Sequence, residues 1–219
     1  SHIEICEKYN IQILISDNSS TDNTQEIIDK WQKQTTLVKS IRNKITVSPD
    51  QNAELALGLS STKYTWLLGD SYFLSEDLID YVIEEINNNQ KCDLFIVNLE
   101  GMLSIPESKF YTDHNQLLAD LGGIMTCLSC LIFHENIIEE GAFERYRGSR
   151  YGHFGVVLEY LGQKKTKNIT WIQEQSVQSL RHPTIKKKNW SLNSEVIEVG
   201  FRNWANFVFS LPHTYLLKN

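Results

Sequence analysis

The run Ile11-Gln-Ile-Leu-Ile-Ser-Asp17-Asn18-Ser-Ser-Thr21-Asp22-Asn-Thr24 constrains this chain more than any other segment. Residues of strong strand preference lead up to Asp17. The Ser/Thr/Asp cluster behind it offers N-caps to an amphipathic stretch whose apolar residues Ile27, Ile28 and Trp31 recur at helical spacing. An apolar strand that ends in a carboxylate and an amide and then starts a helix puts polar side chains at the carboxyl edge of a sheet, where open α/β folds bind ligands. The local order is strand, site, helix.

The alternation continues along the chain. Residues 37–41 read as a short strand, Asp50-Gln51-Asn52-Ala53 opens a short helix through Ser60, and Lys63-Tyr64-Thr-Trp-Leu-Leu-Gly69-Asp70 reads as a strand closing on a second carboxylate. A helix from Ser75 lines up Leu78, Ile79, Val82, Ile83 and Ile86 on one face and stops at the Asn87-Asn88-Asn89 turn cluster. Residues 92–98 form a buried strand, and 100–113 lapse into a loop containing Pro106. A helix is then expected over 113–121, a strand over 125–133, a helix over 151–161, a late strand over 167–172 and a terminal helix from about 194 to 210. Strands alternating with helices imply an α/β fold with a mainly parallel sheet covered by helices on both faces.

Length and composition narrow the class. The 219 residues are enough for one sizeable domain with a real core, and a 41% hydrophobic, 22% charged composition is that of an ordinary globular protein. A net charge of -6 excludes the basic profile of a nucleic-acid binder. No stretch has the ~18 consecutive apolar residues of a membrane span, and no signal peptide is visible, so a cytoplasmic location is expected. The cysteines, Cys6, Cys92, Cys127 and Cys130, are too few and scattered for a disulfide framework and fit a reducing compartment. Cys127 and Cys130 form a C-x-x-C, but on the strand expected over 125–133 an offset of three sends the side chains to opposite faces. No second such pair or His pair accompanies them to complete a zinc site.

With both blocks in view, the sequence resembles the inverting GT-A glycosyltransferases of family 2, whose nucleotide-binding strand ends in a pattern like Val-Asp-Asp-Gly-Ser-Thr-Asp. Ser16-Asp17-Asn18-Ser19-Ser20-Thr21-Asp22 matches it, with Asn and Ser in place of the second Asp and the Gly, and Gly69-Asp70 closes a strand as the family's metal-site strand does. The resemblance implies a GT-A, Rossmann-like domain over residues 1–219. Within it, about 1–100 would be the nucleotide-binding half, about 101–175 the acceptor half and about 176–219 a C-terminal extension. The family's first strand, with its Pro-x-Tyr/Asn entry, has no counterpart ahead of Asp17, so a trimmed or partial polypeptide is expected. No G-x-G-x-x-G follows a strand, which disfavours an unrelated Rossmann-like nucleotide binder.

Sugar transfer from a nucleotide donor needs nucleotide recognition, stabilisation of the leaving diphosphate and a base for the acceptor hydroxyl. The resemblance assigns Asp17 to the nucleobase, with Asn18 beside it, and sets Asn52 and Asp70 near the ribose and the sugar diphosphate. Relatives commonly write the metal site as a run of carboxylates, whereas here it is Gly69-Asp70-Ser71-Tyr72, so a weak Mg²⁺ or Mn²⁺ site on Asp70 is expected. With the metal weak or absent, Arg181, His182 and Lys186 to Lys188 are candidates to neutralise the diphosphate. Gln178-Ser-Leu-Arg181-His182 is faintly similar to the Gln-x-x-Arg-Trp motif of processive relatives, although a solvated charged loop accounts for the lysines more simply.

The family's base is usually a carboxylate beginning a helix on the acceptor side. The corresponding stretch here is Arg150-Tyr151-Gly152-His153-Phe154, which makes His153 the candidate base, since an imidazole near its ordinary pKa is neutral in part at physiological pH. A structural histidine capping that helix is the competing reading. Glu159 lies on roughly the opposite side of the helix, and Asp113, Asp120 and Glu144 have no positional support. Two functions follow. One is a transferase using a nucleotide-sugar donor and a carbohydrate or lipid-linked acceptor in surface polysaccharide or glycolipid assembly, with room for peripheral membrane association. The other is a catalytically silent GT-A domain that binds a nucleotide sugar or a partner protein.

Overall fold

The computed structural model describes residues 3–102, 109–180 and 195–216. The chain opens with α1 (Ile3–Tyr9), β1 (Ile13–Asp17), α2 (Thr24–Gln34), β2 (Val38–Arg42), α3 (Pro49–Leu57), β3 (Tyr64–Trp66), β4 (Tyr72–Phe73) and α4 (Glu76–Asn88). It continues through β5 (Leu94–Leu99), β6 (Phe110–Tyr111), α5 (His114–Met125), a 3-10 turn Leu128–Cys130 and β7 (Leu131–His134). Last come α6 (Glu135–Glu139), α7 (Phe143–Tyr146), α8 (Gly152–Gln163), β8 (Ile169–Ser179), α9 (Glu195–Ile197), a π-helical turn Glu198–Asn203 and α10 (Trp204–Ser210).

Strands β1 and β2 pair in parallel over their full length. The larger sheet runs β3-β7-β5-β8-β4, with β6 also on β8. Its longest ladder, β5 with β8, is parallel, while the short strands β3, β7, β4 and β6 pair antiparallel at its margins. Two-residue periodicity sorts side chains between the faces. Leu94, Ile96, Leu131 and Phe133 join the core with α5 and α8, whereas Phe95, Val97 and Ile132 join Leu78 and Val82 of α4 on the other side. Helices therefore cover both faces, as the alternating pattern leads one to expect. The last segment is bound into the first core as well, since Val199, Phe207, Leu211 and Tyr215 are buried there and Phe207 stacks on Phe154 with ring centroids 5.3 Å apart.

Two local expectations are corrected, the first being the strand expected through Asp70, which ends at Trp66. Residues 125–133 are not one strand: α5 runs through Gly122 and Gly123 to Met125, a 3-10 turn follows, and only Leu131–His134 is extended. The terminal helix runs from Glu195 to Ser210 as expected, but its middle, Glu198–Asn203, is wound as a π turn. Pro106 and the basic loop around Arg181, His182, Pro183 and Lys186 to Lys188 lie outside the described residues.

The packing of α8 leaves no tolerance at Gly155. A β-carbon there would sit 2.3 Å from Cγ of the Tyr146 ring, which is buried and fixed by a 2.7 Å hydrogen bond from its hydroxyl to Glu159. Gly155→Ala should destabilise the protein by about 2 kcal/mol, read as a lower denaturation midpoint, since overpacking a filled core forces neighbours off their rotamers. An unchanged midpoint would show that Tyr146 gives way freely.

Candidate functional site

The site is built at the end of β1. Asp17 closes that strand, and its side chain is buried. One carboxylate oxygen, Oδ1, accepts from the Ser20 N–H at 2.9 Å, while Oδ2 lies 3.0 Å from the Arg42 guanidinium at the end of β2 and makes no hydrogen bond. Bonds from the Ser20 side chain and backbone, helped by Arg42, hold the Asp17 carboxyl below its usual range. Ser19 explains how the strand-to-helix turn tolerates losing the glycine of the family pattern. Its φ is +63°, a conformation that favours glycine, and its hydroxyl donates to the Asn43 carbonyl at 2.8 Å in partial compensation.

The neighbouring amides are occupied by the protein itself. Asn18 donates to the Val47 carbonyl and accepts from the Val47 N–H, both at 2.9 Å, and its oxygen also accepts from Asn43 Nδ2 at 3.0 Å. Asn52 accepts from Ser16 Oγ at 2.8 Å and from Asn43 Nδ2 at 3.0 Å, and donates back to the Ser16 carbonyl. This network ties α3 to β1 and the loop after β2, so both amides shape the turn that carries Asp17.

One residue between these blocks was noted in the sequence only as a helix opener. Asp50, in the first turn of α3, is buried and its carboxylate accepts from the backbone N–H groups of Gly148 and Arg150 at 3.0 Å and Gly152 at 3.1 Å. It clasps α3 to the start of α8. Its presence two places before Asn52 was legible; its partners, about a hundred residues away, were not.

His153 follows in that first turn of α8. Here the structure departs from the expected acceptor-facing base: the imidazole is buried, with Nε2 3.0 Å from the Thr126 carbonyl. That nitrogen carries the proton and donates it to the carbonyl. Burial pushes the histidine down to about 4, so it is neutral at physiological pH and already committed to a backbone partner. A signal was present in the apolar run Phe154-Gly-Val-Val-Leu158 that follows it, and Gly152 through Gly162 are indeed buried without a break.

From Thr126 the contacts lead to the second carboxylate. Ser129, in the 3-10 turn, accepts the Gly69 N–H on its hydroxyl at 3.0 Å and the Trp66 indole N–H on its carbonyl at 2.8 Å. Gly69-Asp70-Ser71 turn between β3 and β4, leaving Asp70 exposed with the Ser71 hydroxyl donating to it at 3.0 Å. Arg181 lies outside the described residues, but Leu180 just before it donates its N–H to the Ser71 carbonyl at 2.8 Å. The predicted residues thus fall into local groups: Asn18 and Asn52 share the Asn43 amide, whose backbone N–H is held by the Asp17 carbonyl, Asp50 holds the start of α8, His153 lies against Thr126, and Ser129 holds Gly69 next to Asp70.

For a divalent cation, one exposed carboxylate with a neighbouring hydroxyl fits an ion that keeps its waters and leans on substrate phosphates, not a cage built by protein. Among the described residues no group of three or more His, Cys, Asp or Glu side chains could hold a metal. None of the described helices is long and apolar enough to cross a membrane.

Comparison with known proteins places this geometry. The abequosyltransferase RfbV of Salmonella typhimurium is 27% identical over 175 residues, 69% of this chain and 53% of that protein. The chain therefore spans about half the length of the curated relative it matches. Among solved structures, Staphylococcus aureus TarS 1-349 in complex with UDP superposes with a TM-score of 0.63 at 13% identity, covering 93% of this chain and 58% of the other. The mannosyltransferase PcManGT from Pyrobaculum calidifontis, in complex with GDP-Man and Mn²⁺, gives 0.58 at 10% identity, covering 97% and 62%. These structures share the GT-A fold. Residues 2–141 match the profile of Glycosyl transferase family 2, and on that match, which takes in Asp17, Asn52 and Asp70 alike, the chain belongs to this family.

Proposed function

We propose that this chain binds a nucleotide-sugar donor and moves its sugar, a hexose or close relative, to a carbohydrate or lipid-linked acceptor in surface polysaccharide or glycolipid assembly. The transfer inverts the anomeric centre and takes place in the cytoplasm. The observation that carries the reading is Asp17, a carboxylate at the carboxyl end of a parallel strand with one oxygen, Oδ2, free of hydrogen bonds. The Arg42 side chain over that oxygen is 44% exposed, so a nucleobase N–H reaches it by displacing a surface group and leaves the core closed. Similarity to an abequosyltransferase supports the polysaccharide context.

Each residue then has a task. Asp17 accepts from the base, Asn18 and Asn52 hold the backbone around it, and Asp70 with Ser71 supports a loosely held Mg²⁺ or Mn²⁺, which when bound would offset charge on the diphosphate. Arg181, in the basic run of the sequence, shares that load. His153 acts as a positioning residue, fixing the start of α8 against the 126–130 turn. Its burial favours one further reading, a domain that binds nucleotide sugar without turnover, because no carboxylate begins α8 in its place.

Thermal shift with UDP, GDP, CDP and dTDP, each alone and as sugar conjugates, tests both readings. One nucleotide should stabilise the protein selectively, by roughly 2.7 kcal/mol at a hundred times its Kd. The shift should vanish in Asp17→Ala and survive chelation in large part, since a single carboxylate holds the metal. No selective shift would overturn donor binding; a shift with no sugar transfer or donor hydrolysis would establish the silent domain.

A further inference from the structure

The Cys127-x-x-Cys130 pair has no part in the reading above, and its geometry differs from the strand expected of it. Cys127 is the N-cap of the 3-10 turn Leu128–Cys130, and the Cys130 N–H donates to the Cys127 carbonyl at 3.0 Å. That bond closes a single turn from residue 127 to residue 130, which brings the two α-carbons to roughly 6 Å apart. That is within the ~4.4 to 6.8 Å a disulfide spans.

The sulfur environments of the two differ. Cys127 is partly exposed, and its sulfur accepts from the Cys130 thiol, the Tyr72 hydroxyl and the backbone N–H groups of Ser129 and Cys130. Led by the Cys130 thiol, these donors outweigh burial and hold Cys127 below the ordinary thiol range, while the same contact and burial push Cys130 up. Cys6 and Cys92 are both buried, and burial raises both. A partly exposed cysteine whose sulfur is surrounded by hydrogen-bond donors, with a buried thiol against it, is the arrangement of an attacking and a resolving cysteine.

We propose that Cys127 and Cys130 form a thiol–disulfide exchange site that closes to an intramolecular disulfide in the presence of a low-molecular-weight disulfide such as oxidised glutathione. The Cys127 thiolate bonds to one sulfur of the disulfide, whose S–S bond breaks and whose other half leaves as a thiolate. Cys130 gives its proton to that departing thiolate and attacks the Cys127 sulfur, expelling the second half, which takes up a proton from solvent. Two protein thiols are oxidised and one disulfide is reduced to two thiols. Closure takes the Cys127 sulfur from Tyr72, and the same turn carries the Thr126 carbonyl held by His153 and the Ser129 hydroxyl that anchors Gly69. The site is independent of the donor-binding role.

The test is incubation of the full chain in glutathione buffers of graded potential, followed by intact mass and peptide mapping. The expected product has lost two hydrogens, with Cys127 and Cys130 in one cross-linked peptide and Cys6 and Cys92 free. Cys130→Ala should instead accumulate one glutathione on Cys127, and Cys127→Ser should show neither product. Because Cys130 lies in the core, the wild-type protein is also pulsed with iodoacetamide under native conditions, where Cys127 should label first. A wild-type Cys127 that stays free or keeps a stable glutathione adduct, or that labels no faster than Cys6, would overturn the proposal.

Discussion

Acidification from pH 6.5 to pH 4 should cost the folded state roughly 3 kcal/mol through His153 alone. The imidazole is buried with its Nε2 proton on the Thr126 carbonyl, and burial lowers it to about 4 from the ordinary 6.5, with the nearby Asp50 carboxylate offsetting only part of the loss. Between those values the unfolded chain binds a proton that the native state refuses. Stability is therefore fully retained above pH 6.5 and is lost progressively as the pH falls toward 4. Urea unfolding of the wild type and His153→Gln at pH 7, 5.5 and 4.5 isolates the effect from carboxylates that titrate in both. The difference between the two proteins should shrink by that amount on the acid side. Parallel stability curves would mean that the histidine titrates normally and faces water.

The second large effect is expected at Asp50. Its two oxygens take three backbone N–H bonds, and Asp50→Ala leaves all three donors without an acceptor where water has poor access. Bonds to an ionised group contribute about 1.5 to 3 kcal/mol each, and unsatisfied donors cost a similar amount, so a loss of about 4 kcal/mol is expected after partial relaxation. Asp50→Asn keeps one acceptor oxygen and should lose about half as much. The measurement is the denaturant midpoint at constant m-value. A shift under 1 kcal/mol for the alanine variant would show that the 148–152 segment finds other acceptors or water.

Much of the architecture could be read in advance because it is governed by local period. The apolar spacing of Leu78, Ile79 and Val82 fixes the buried face of α4, and the apolar run before Asp17 becomes β1. What escaped was decided by partners distant in the chain. Nothing local tells that residues 125–127 complete a helix and a turn, because a short apolar run suits a strand equally well. Nor does Asn18 reveal that its amide will be saturated by Val47, 29 residues on. Among the site residues, identity was legible and orientation was not: Asp17 ends its strand as expected, whereas β3 stops at Trp66 and leaves Asp70 in the turn beyond it, and His153 turns inward because every neighbour on its helix is buried.

The Asp50 clasp also sets an order of assembly during synthesis. Its bonds bridge 98 to 102 residues, whereas the β1–β2 ladder pairs residues 25 apart, as in Ile13 with Val38. On a ribosome adding about 5 to 20 residues per second, α3 emerges roughly 5 to 20 s before the amides that Asp50 will hold. During that interval the carboxylate is solvated and costs nothing, and β1, β2 and α3 have their own local contacts. α3 is clasped to the start of α8 only when that segment arrives, so the nascent chain cannot fix the two against each other before most of this domain has been made.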